Sequence, residues 1–267
     1  MSHIEFLGPP GAGKTTLHRS LIRDPQWYGG VTADGIRRYH MKHARFRYCL
    51  AFQILPPRLQ TFVTNELLSY RFGIGAIDRF GAVWPEVIRE SASAIANCSV
   101  EHDLLHGWMN QLFSYYQLGI ETTRSHEVFC IDEGFAQKAL AFRWRSETGA
   151  EHDTYLKTIP SPSSVIFLKS TPEACLQRQV DRREIVVDKP WVDEEPLTVQ
   201  HRLHEISEDI LRELRGRTKI IEIDTTAPYE RTLESLRREL ITYRSETAHD
   251  NSTEPPKSDE LLPRSGW

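Results

Sequence analysis

The chain of 267 residues is long enough to bury a full hydrophobic core and suits one α/β domain with a sizeable insertion better than two independent domains. Its formal net charge of −4 at pH 7 gives no general reason to expect a nucleic-acid partner or a membrane surface. The four cysteines are far apart, and no apolar run reaches transmembrane length or forms a signal peptide. The composition therefore predicts a soluble, cytoplasmic protein with reduced thiols.

The first motif follows a short apolar run at the start of the chain. Within residues 8–16, residues 8–15 match the pattern G-x-x-x-x-G-K-[ST], between a predicted strand at residues 2–7 and a predicted helix at residues 16–23. This order predicts a phosphate-binding loop, because a glycine-rich turn into a helix N-terminus directs several backbone N–H groups at one anion. The residues predicted to bind the nucleotide are Gly8, Gly11, Ala12, Gly13, Lys14, Thr15 and Thr16.

Two side chains of this loop have separate predicted roles. Lys14 is expected to reach the β- and γ-phosphate oxygens, which makes it a candidate catalytic residue. The Thr15 hydroxyl is expected to bind Mg²⁺. The loop therefore predicts ATP and Mg²⁺ as cofactors, and the alternative is a glycine- and proline-rich turn that matches the pattern by chance.

A family resemblance begins at residues 32–37, which read Thr-Ala-Asp-Gly-Ile-Arg. With the preceding loop they resemble the adenylate-kinase group of P-loop kinases, in which T-G-D-x-x-R follows at the same distance, although Ala33 replaces the glycine. The resemblance implies that Asp34 lies near the reacting centre and binds the acceptor together with Arg37. The alternative is that Asp34 caps a helix and Arg37 lies on a solvated face.

Residues 38–125 show no second alternation of strand and helix and are predicted to form a helical insertion, broken at residues 56–57, at residues 73–81 and before Val100. In nucleotide kinases, which this chain resembles, the insertion at this position binds the acceptor. Its large size here predicts an acceptor larger than a simple nucleotide, or an interface between two copies of the chain. Residues 78–80 resemble the D-R-[FY] motif of thymidylate kinases, but the predicted loop before them favours a local ion pair.

The second motif is a predicted strand that begins at Glu127, continues through four apolar residues at 128–131 and ends in two carboxylates. A buried parallel strand delivers such groups to the edge of the sheet where α/β proteins bind ligands. Asp132 is therefore predicted to contact Mg²⁺, and Glu133 is predicted to accept a proton from the acceptor or to position it. A helix N-terminus with acidic residues in its first turn is the alternative.

A third strand is predicted at residues 164–169, followed by a helix that Thr171 caps. This pattern resembles the P-loop kinase sequence in which arginines, here Arg178, Arg182 and Arg183, belong to a lid that closes over ATP, and Arg178 and Arg182 are the two main candidates. The resemblance implies a lid at about residues 178–196 and a catalytic role for both arginines. The alternative is that both lie on an ordinary helix surface.

The C-terminal part predicts a helix from about Thr198 to Gly216, a strand at residues 219–224 and a last helix that ends at Leu240. In the kinases that this chain resembles, the loop after the last strand, here residues 224–227, lies against the adenine ring. The polar residues 244–267 predict a disordered tail, so that the kinase domain spans residues 1–243.

Together these elements predict a P-loop NTPase fold with a mostly parallel α/β sheet, helices on both faces and a large helical insertion. The predicted activity is an ATP-dependent kinase that transfers the γ-phosphoryl group to a nucleotide, a nucleoside or another small-molecule acceptor. Two alternatives remain: a non-catalytic ATP-binding or assembly protein, and a nucleotide-switched regulator. The second would require an N-K-x-D guanine signature, which the sequence lacks.

Overall fold

The structure, a computed structural model, describes residues 3–29, 38–39, 42, 55–56, 59, 69–99, 101–124, 127–146, 153–183 and 194–251. The strands are β1 (His3–Leu7), β2 (Trp27–Tyr28), β3 (Val128–Ile131), β4 (Ser164–Lys169) and β5 (Lys219–Asp224). The helices are α1 (Lys14–Leu21), α2 (Ser69–Val83), α3 (Pro85–Ala96), α4 (His102–Thr122), α5 (Phe135–Arg145), α6 (Asp153–Thr158), α7 (Pro172–Arg182), α8 (Pro196–Leu214) and α9 (Tyr229–Asn251). Among these helices, none has the length and hydropathy that a bilayer-spanning segment needs.

The strands form a single parallel sheet in the order β2-β3-β1-β4-β5. Strand β1 lies at its centre, with Ile4 opposite Cys130 of β3 and Ser164 of β4. Because side chains alternate along a strand, Ile4 and Phe6 enter one apolar core and Leu7 enters the other. Helices cover both faces of the sheet, which confirms the predicted three-layer α/β fold.

The helical insertion differs from its prediction at α2, which runs without a break through residues 73–81. The predicted loop there is wrong, because packing outweighs the low helix propensity of glycine, about 1 kcal/mol per residue. Phe80 is fully buried and stacks on Phe113 of α4 at 4.6 Å between ring centroids. Arg79 pairs with Glu121 at 3.3 Å, which supports the ion-pair interpretation of the D-R-F segment.

The end of the last helix also differs from its prediction. Helix α9 continues to Asn251, past the predicted end at Leu240 and into the predicted disordered tail. The reason is contact with the sheet edge: Tyr243 is buried, and Arg244 donates to the Gln26 side chain and lies over the Trp27 ring. Residues 252–267 lie outside the described residues.

Glu5 is a buried carboxylate in the middle of the central strand. Its side chain is fully buried and lies 3.0 Å from the His3 ring, and it accepts the backbone N–H of Ala136 at 2.8 Å. Gly134 approaches so closely that a Cβ there would lie 2.3 Å from the Glu5 carboxyl carbon. Glu5 therefore fixes the start of α5 on β1.

Replacing Glu5 by alanine should lower the free energy of unfolding by about 2–5 kcal/mol, because His3 and the Ala136 N–H would each lose a buried partner. Glu222→Ala is the matched control, since Glu222 is also a strand glutamate but forms only exposed ion pairs with Lys169 and Arg215, worth about 1 kcal/mol or less. Urea denaturation of both variants measures the difference. Equal midpoints for the two variants would show that Glu5 does not anchor α5.

Candidate functional site

The phosphate loop joins β1 to α1 at the carboxyl edge of the sheet. Gly13 caps α1 in the left-handed conformation, with φ 99°, and no side chain caps this helix start. The N–H groups of Lys14, Thr15 and Thr16 are in the first turn of α1, where a helix offers no backbone acceptor. Together with the helix dipole, they form an anion-binding position.

Lys14 is buried and donates to two carbonyls of its own loop, to Gly8 at 2.6 Å and to Pro9 at 3.1 Å. Burial lowers the pKa of Lys14 to about 8, although the nearby charges of Glu133 and Asp132 oppose this shift. A phosphate in the loop would stabilise the ammonium form. The lysine is therefore held at the loop, in an environment that favours a bound anion.

The acidic turn Asp132-Glu133 follows β3, which is the neighbour of β1 in the sheet. Asp132 is half-buried and accepts the Glu133 N–H at 3.0 Å, and the Glu133 carboxylate accepts from Lys138 at 2.9 Å. Burial acts to raise the pKa of Glu133, but the charge and hydrogen bond of Lys138 and the charge of Lys14 outweigh it, so this pKa is lowered. Glu133 is therefore a carboxylate at neutral pH.

Within the described residues no group of three His, Cys, Asp or Glu side chains could hold a metal ion. The predicted Mg²⁺ ligands are Thr15 and Asp132, and Mg²⁺ is usually held by one or two protein oxygens together with phosphate oxygens and water. Thr15 is half-buried in the first turn of α1. The negative charge of Asp132 acts to raise the pKa of Lys14. The donor set suits a nucleotide-bound Mg²⁺ ion.

A small cavity of about 150 Å³ lies on one side of the phosphate loop. Its wall is formed by the phosphate loop, by α7 with the two arginines predicted to be catalytic, and by the segment that follows β5. Residues on its wall include Gly13, Leu17, Arg178, Arg182, Thr225 and Ala227.

Arg178 joins three parts of this cavity. Its guanidinium donates to the Gly11 carbonyl at 3.2 Å and also to the Thr225 carbonyl. Arg182 lies one turn further along α7 and is exposed. Both arginines therefore lie beside the phosphate loop. Their catalytic roles remain predictions.

A larger cavity of about 440 Å³ also borders the loop, at Pro10 and Lys14. Lys14, Glu133 and Lys138 line one part of it, and Glu101, Trp108 and Arg145 line another. Sequence reasoning did not identify Lys138, Arg145, Trp108 or Glu101. The available signal was the pair of cations seven residues apart in α5, on a helix whose other residues are mostly apolar and buried.

Two predicted site residues, Asp34 and Arg37, lie outside the described residues, as do residues 184–193 of the predicted lid. The adjacent Arg38 is described, and its guanidinium pairs with Glu127 at 2.7 Å and lies over the Tyr28 ring. This arginine therefore joins the insertion to the edge of the sheet.

Gly11 and Gly13 both have positive φ angles, of 86° and 99°, but their surroundings differ. A Cβ at Gly11 would lie 2.3 Å from the Cys175 carbonyl oxygen, whereas a Cβ at Gly13 would meet nothing within 4 Å. Gly13→Ala should therefore cost only the left-handed strain, about 1–2 kcal/mol, and Gly11→Ala should cost more. Thermal unfolding of both variants tests this order, and an equal loss would contradict the close packing of the loop on α7.

Comparison with known proteins adds little to this geometry. No protein-family model and no curated protein sequence matches the chain. Among solved structures, the chain is similar to a deoxyadenosine kinase from M. mycoides, whose structure holds the products dCMP and a flexible dCDP. The two chains are 11% identical, with 90% of this chain and 99% of the other covered and a TM-score of 0.46. The parallel α/β fold is seen in the strand order of this chain itself, with the glycine-rich loop between β1 and α1.

Proposed function

We propose that this protein is an ATP-dependent kinase that transfers the γ-phosphoryl group to a small-molecule acceptor. The observation that carries the proposal is that the phosphate loop lines two cavities, of about 150 and 440 Å³, with different residues. A kinase needs separate sites for ATP and its acceptor that meet at the γ-phosphate. Lys14, which lines the larger cavity from within the loop, supplies that meeting point.

The smaller cavity suits the base of ATP. Leu17 and Ala227 give it apolar walls, and Arg178 and Arg182 border it. A planar guanidinium stacks on aromatic rings and also binds phosphate oxygens, so an arginine here serves either part of a nucleotide. ATP bound this way has its base by α7 and its phosphates on the loop.

The larger cavity then receives the acceptor. Phosphoryl transfer depends mainly on positioning and on neutralising charge, which here falls to Lys14 and the N–H groups of the first turn of α1. Thr15 and Asp132 would hold Mg²⁺, which supplies further neutralisation of phosphate charge when it is bound. Glu133, present as a carboxylate, would orient the attacking hydroxyl and accept its proton. Asp34 and Arg37 remain predicted acceptor contacts.

The direct test is ADP formation from ATP and Mg²⁺ with a panel of nucleoside monophosphates, nucleosides, sugars and amino alcohols. Acceptor-dependent release of ADP would support the kinase. Tight binding of ATP without turnover of any acceptor would favour the non-catalytic ATP-binding protein instead.

Because Lys14 has a pKa of about 8 before phosphate binds, and a bound phosphate raises it, binding of ATP takes up a proton above pH 8. The affinity should be constant below pH 8 and fall up to about tenfold per pH unit above it. Calorimetry across this range in buffers of different ionisation enthalpy measures the uptake.

Lys14→Ala should lose this pH dependence and lower turnover at least about a hundredfold. Lys157→Ala, at an exposed position of α6 that lines neither cavity, is the control and should retain both properties. Unchanged turnover in Lys14→Ala would remove the loop from the mechanism.

Asp132→Asn should raise the Mg²⁺ concentration needed for half-maximal turnover about tenfold or more, because an amide oxygen lacks the carboxylate charge. Asp209→Asn, at an exposed ion pair on α8, is the control. A Mg²⁺ titration of ADP formation measures both variants. A change in melting temperature alone would make Asp132 a structural residue.

A further inference from the structure

Part of the larger cavity has no role in the phosphoryl transfer described above. There the Arg145 guanidinium donates to Glu101 at 3.3 Å and lies over the Trp108 ring, 5.2 Å from its centroid. Lys138 lies over the same ring at 4.9 Å. We name Glu101, Trp108 and Arg145 the remote group of the cavity.

Helix α5 sets how far the backbone of Lys138 lies from that of Arg145. Lys138 pairs with Glu133 and its charge acts on Lys14, and its ammonium also lies over Trp108 of the remote group. Arg145 lies seven residues further along the same helix, so the two backbone positions are roughly 10 Å apart at the α-helical rise. An acceptor of the size of a sugar or a nucleoside would therefore reach from the loop to Arg145.

The two partners in the remote group differ strongly in burial. The Arg145 side chain is 6% exposed, and the Glu101 side chain is 40% exposed. A buried cation is costly to leave without a counter-ion, whereas an exposed carboxylate turns into water at little cost. Between Glu101 and the Ala141 carbonyl, both of which accept from Arg145, Glu101 is therefore the group that a ligand can replace, and an anion would supply the same charge.

The backbone of Glu101 gives a second, independent indication. Glu101 precedes α4 in the left-handed conformation, with φ 62°, which is unfavourable for a residue with a side chain. Its carboxylate does not cap α4, because it reaches Arg145 instead. Backbone strain of this kind concentrates at ligand sites.

We propose that the phosphoryl acceptor carries an anionic group, a phosphate or a carboxylate, that binds Arg145 in place of Glu101 while its reacting hydroxyl lies beside Lys14. This inference rests on the proposed function, which assigns the acceptor to the larger cavity. An uncharged sugar or nucleoside leaves Arg145 with Glu101 and gains nothing at the remote group. The remote group thus selects acidic acceptors.

The first experiment titrates inorganic phosphate into the protein saturated with a non-hydrolysable ATP analogue and Mg²⁺, so that the phosphate loop is already filled. Three variants are compared with the wild type by calorimetry. Arg145→Gln removes the anion-binding cation, and Glu101→Gln removes the competing carboxylate. Arg143→Gln is the matched control, because Arg143 lies on the same helix and pairs with Glu213 at 8% and 39% exposure but lines neither cavity.

Phosphate should bind about tenfold or more weakly to Arg145→Gln, more tightly to Glu101→Gln, and as in the wild type to Arg143→Gln. A merely structural ion pair would not give opposite effects for its two partners. Phosphate affinity that is the same in wild type and Glu101→Gln, or no phosphate binding by Glu101→Gln, overturns the inference. This second variant decides the matter even where Arg145→Gln does not fold.

The second experiment compares acceptors with and without an anionic group, pantothenate with pantothenol and glucose 6-phosphate with glucose, by ADP formation. The wild type should prefer the charged member of a pair, and Glu101→Gln should increase that preference. Equal use of both members with intact ATP turnover overturns the inference and leaves the proposed kinase standing. Failure of the ATP analogue to bind contradicts the proposed kinase itself, which separates the two results.

Discussion

The arrangement of the site depends on the buried carboxylate of Glu5. This residue lies on β1, three residues before the phosphate loop. It accepts the backbone N–H of Ala136, in the first turn of α5, the helix that follows the acidic turn. A second bond, from the Gly8 N–H to Gln137, joins the same two elements at the loop itself. Strand pairing alone sets the distance between β1 and β3, but it does not fix the turn after β3. That turn is fixed by the contact of Glu5 with Gly134 and Ala136. The same contact therefore sets where the acidic turn lies relative to Lys14.

Helix α5 extends this constraint into the larger cavity. Because its first turn is fixed to β1, the positions of Lys138 and Arg145 follow from the helical rise rather than from a flexible loop. Both cations are buried against Trp108, while their carboxylate partners Glu133 and Glu101 remain 55% and 40% exposed. The cations are thus part of the buried wall of the cavity, and the carboxylates lie on its more exposed side. A cavity built this way has its positive charges held by packing and its negative charges closer to water.

The parts that the sequence predicted correctly are those encoded by adjacent residues. The loop at residues 8–16 and the strand before Asp132 are contiguous patterns, and each lies at the predicted edge of the sheet. The errors lie where distant packing decides. Glycines within α2 predicted a loop, but Phe80 packs on Phe113 of another helix and the segment is helical. Nothing in the sequence around Glu5 of β1 indicated that its side chain accepts the N–H of Ala136. Arg145 was overlooked for the same reason, since its meaning depends on Glu101, which is 44 residues away in the chain.

The smaller cavity shows how recognition of a base would be linked to the phosphate loop. Arg178 donates to the carbonyls of Gly11 and Thr225, so one guanidinium joins the loop to the segment after β5. Gly11 in turn lies so close to the Cys175 carbonyl that the loop cannot move toward α7 without displacing that helix. A base that enters the cavity contacts Arg178 and so acts on the same hydrogen bonds that hold Gly11. In the proposed function, binding of a base would therefore be coupled to the shape of the phosphate loop through Arg178, whereas the exposed Arg182, one turn later, makes no such hydrogen bond to the described residues.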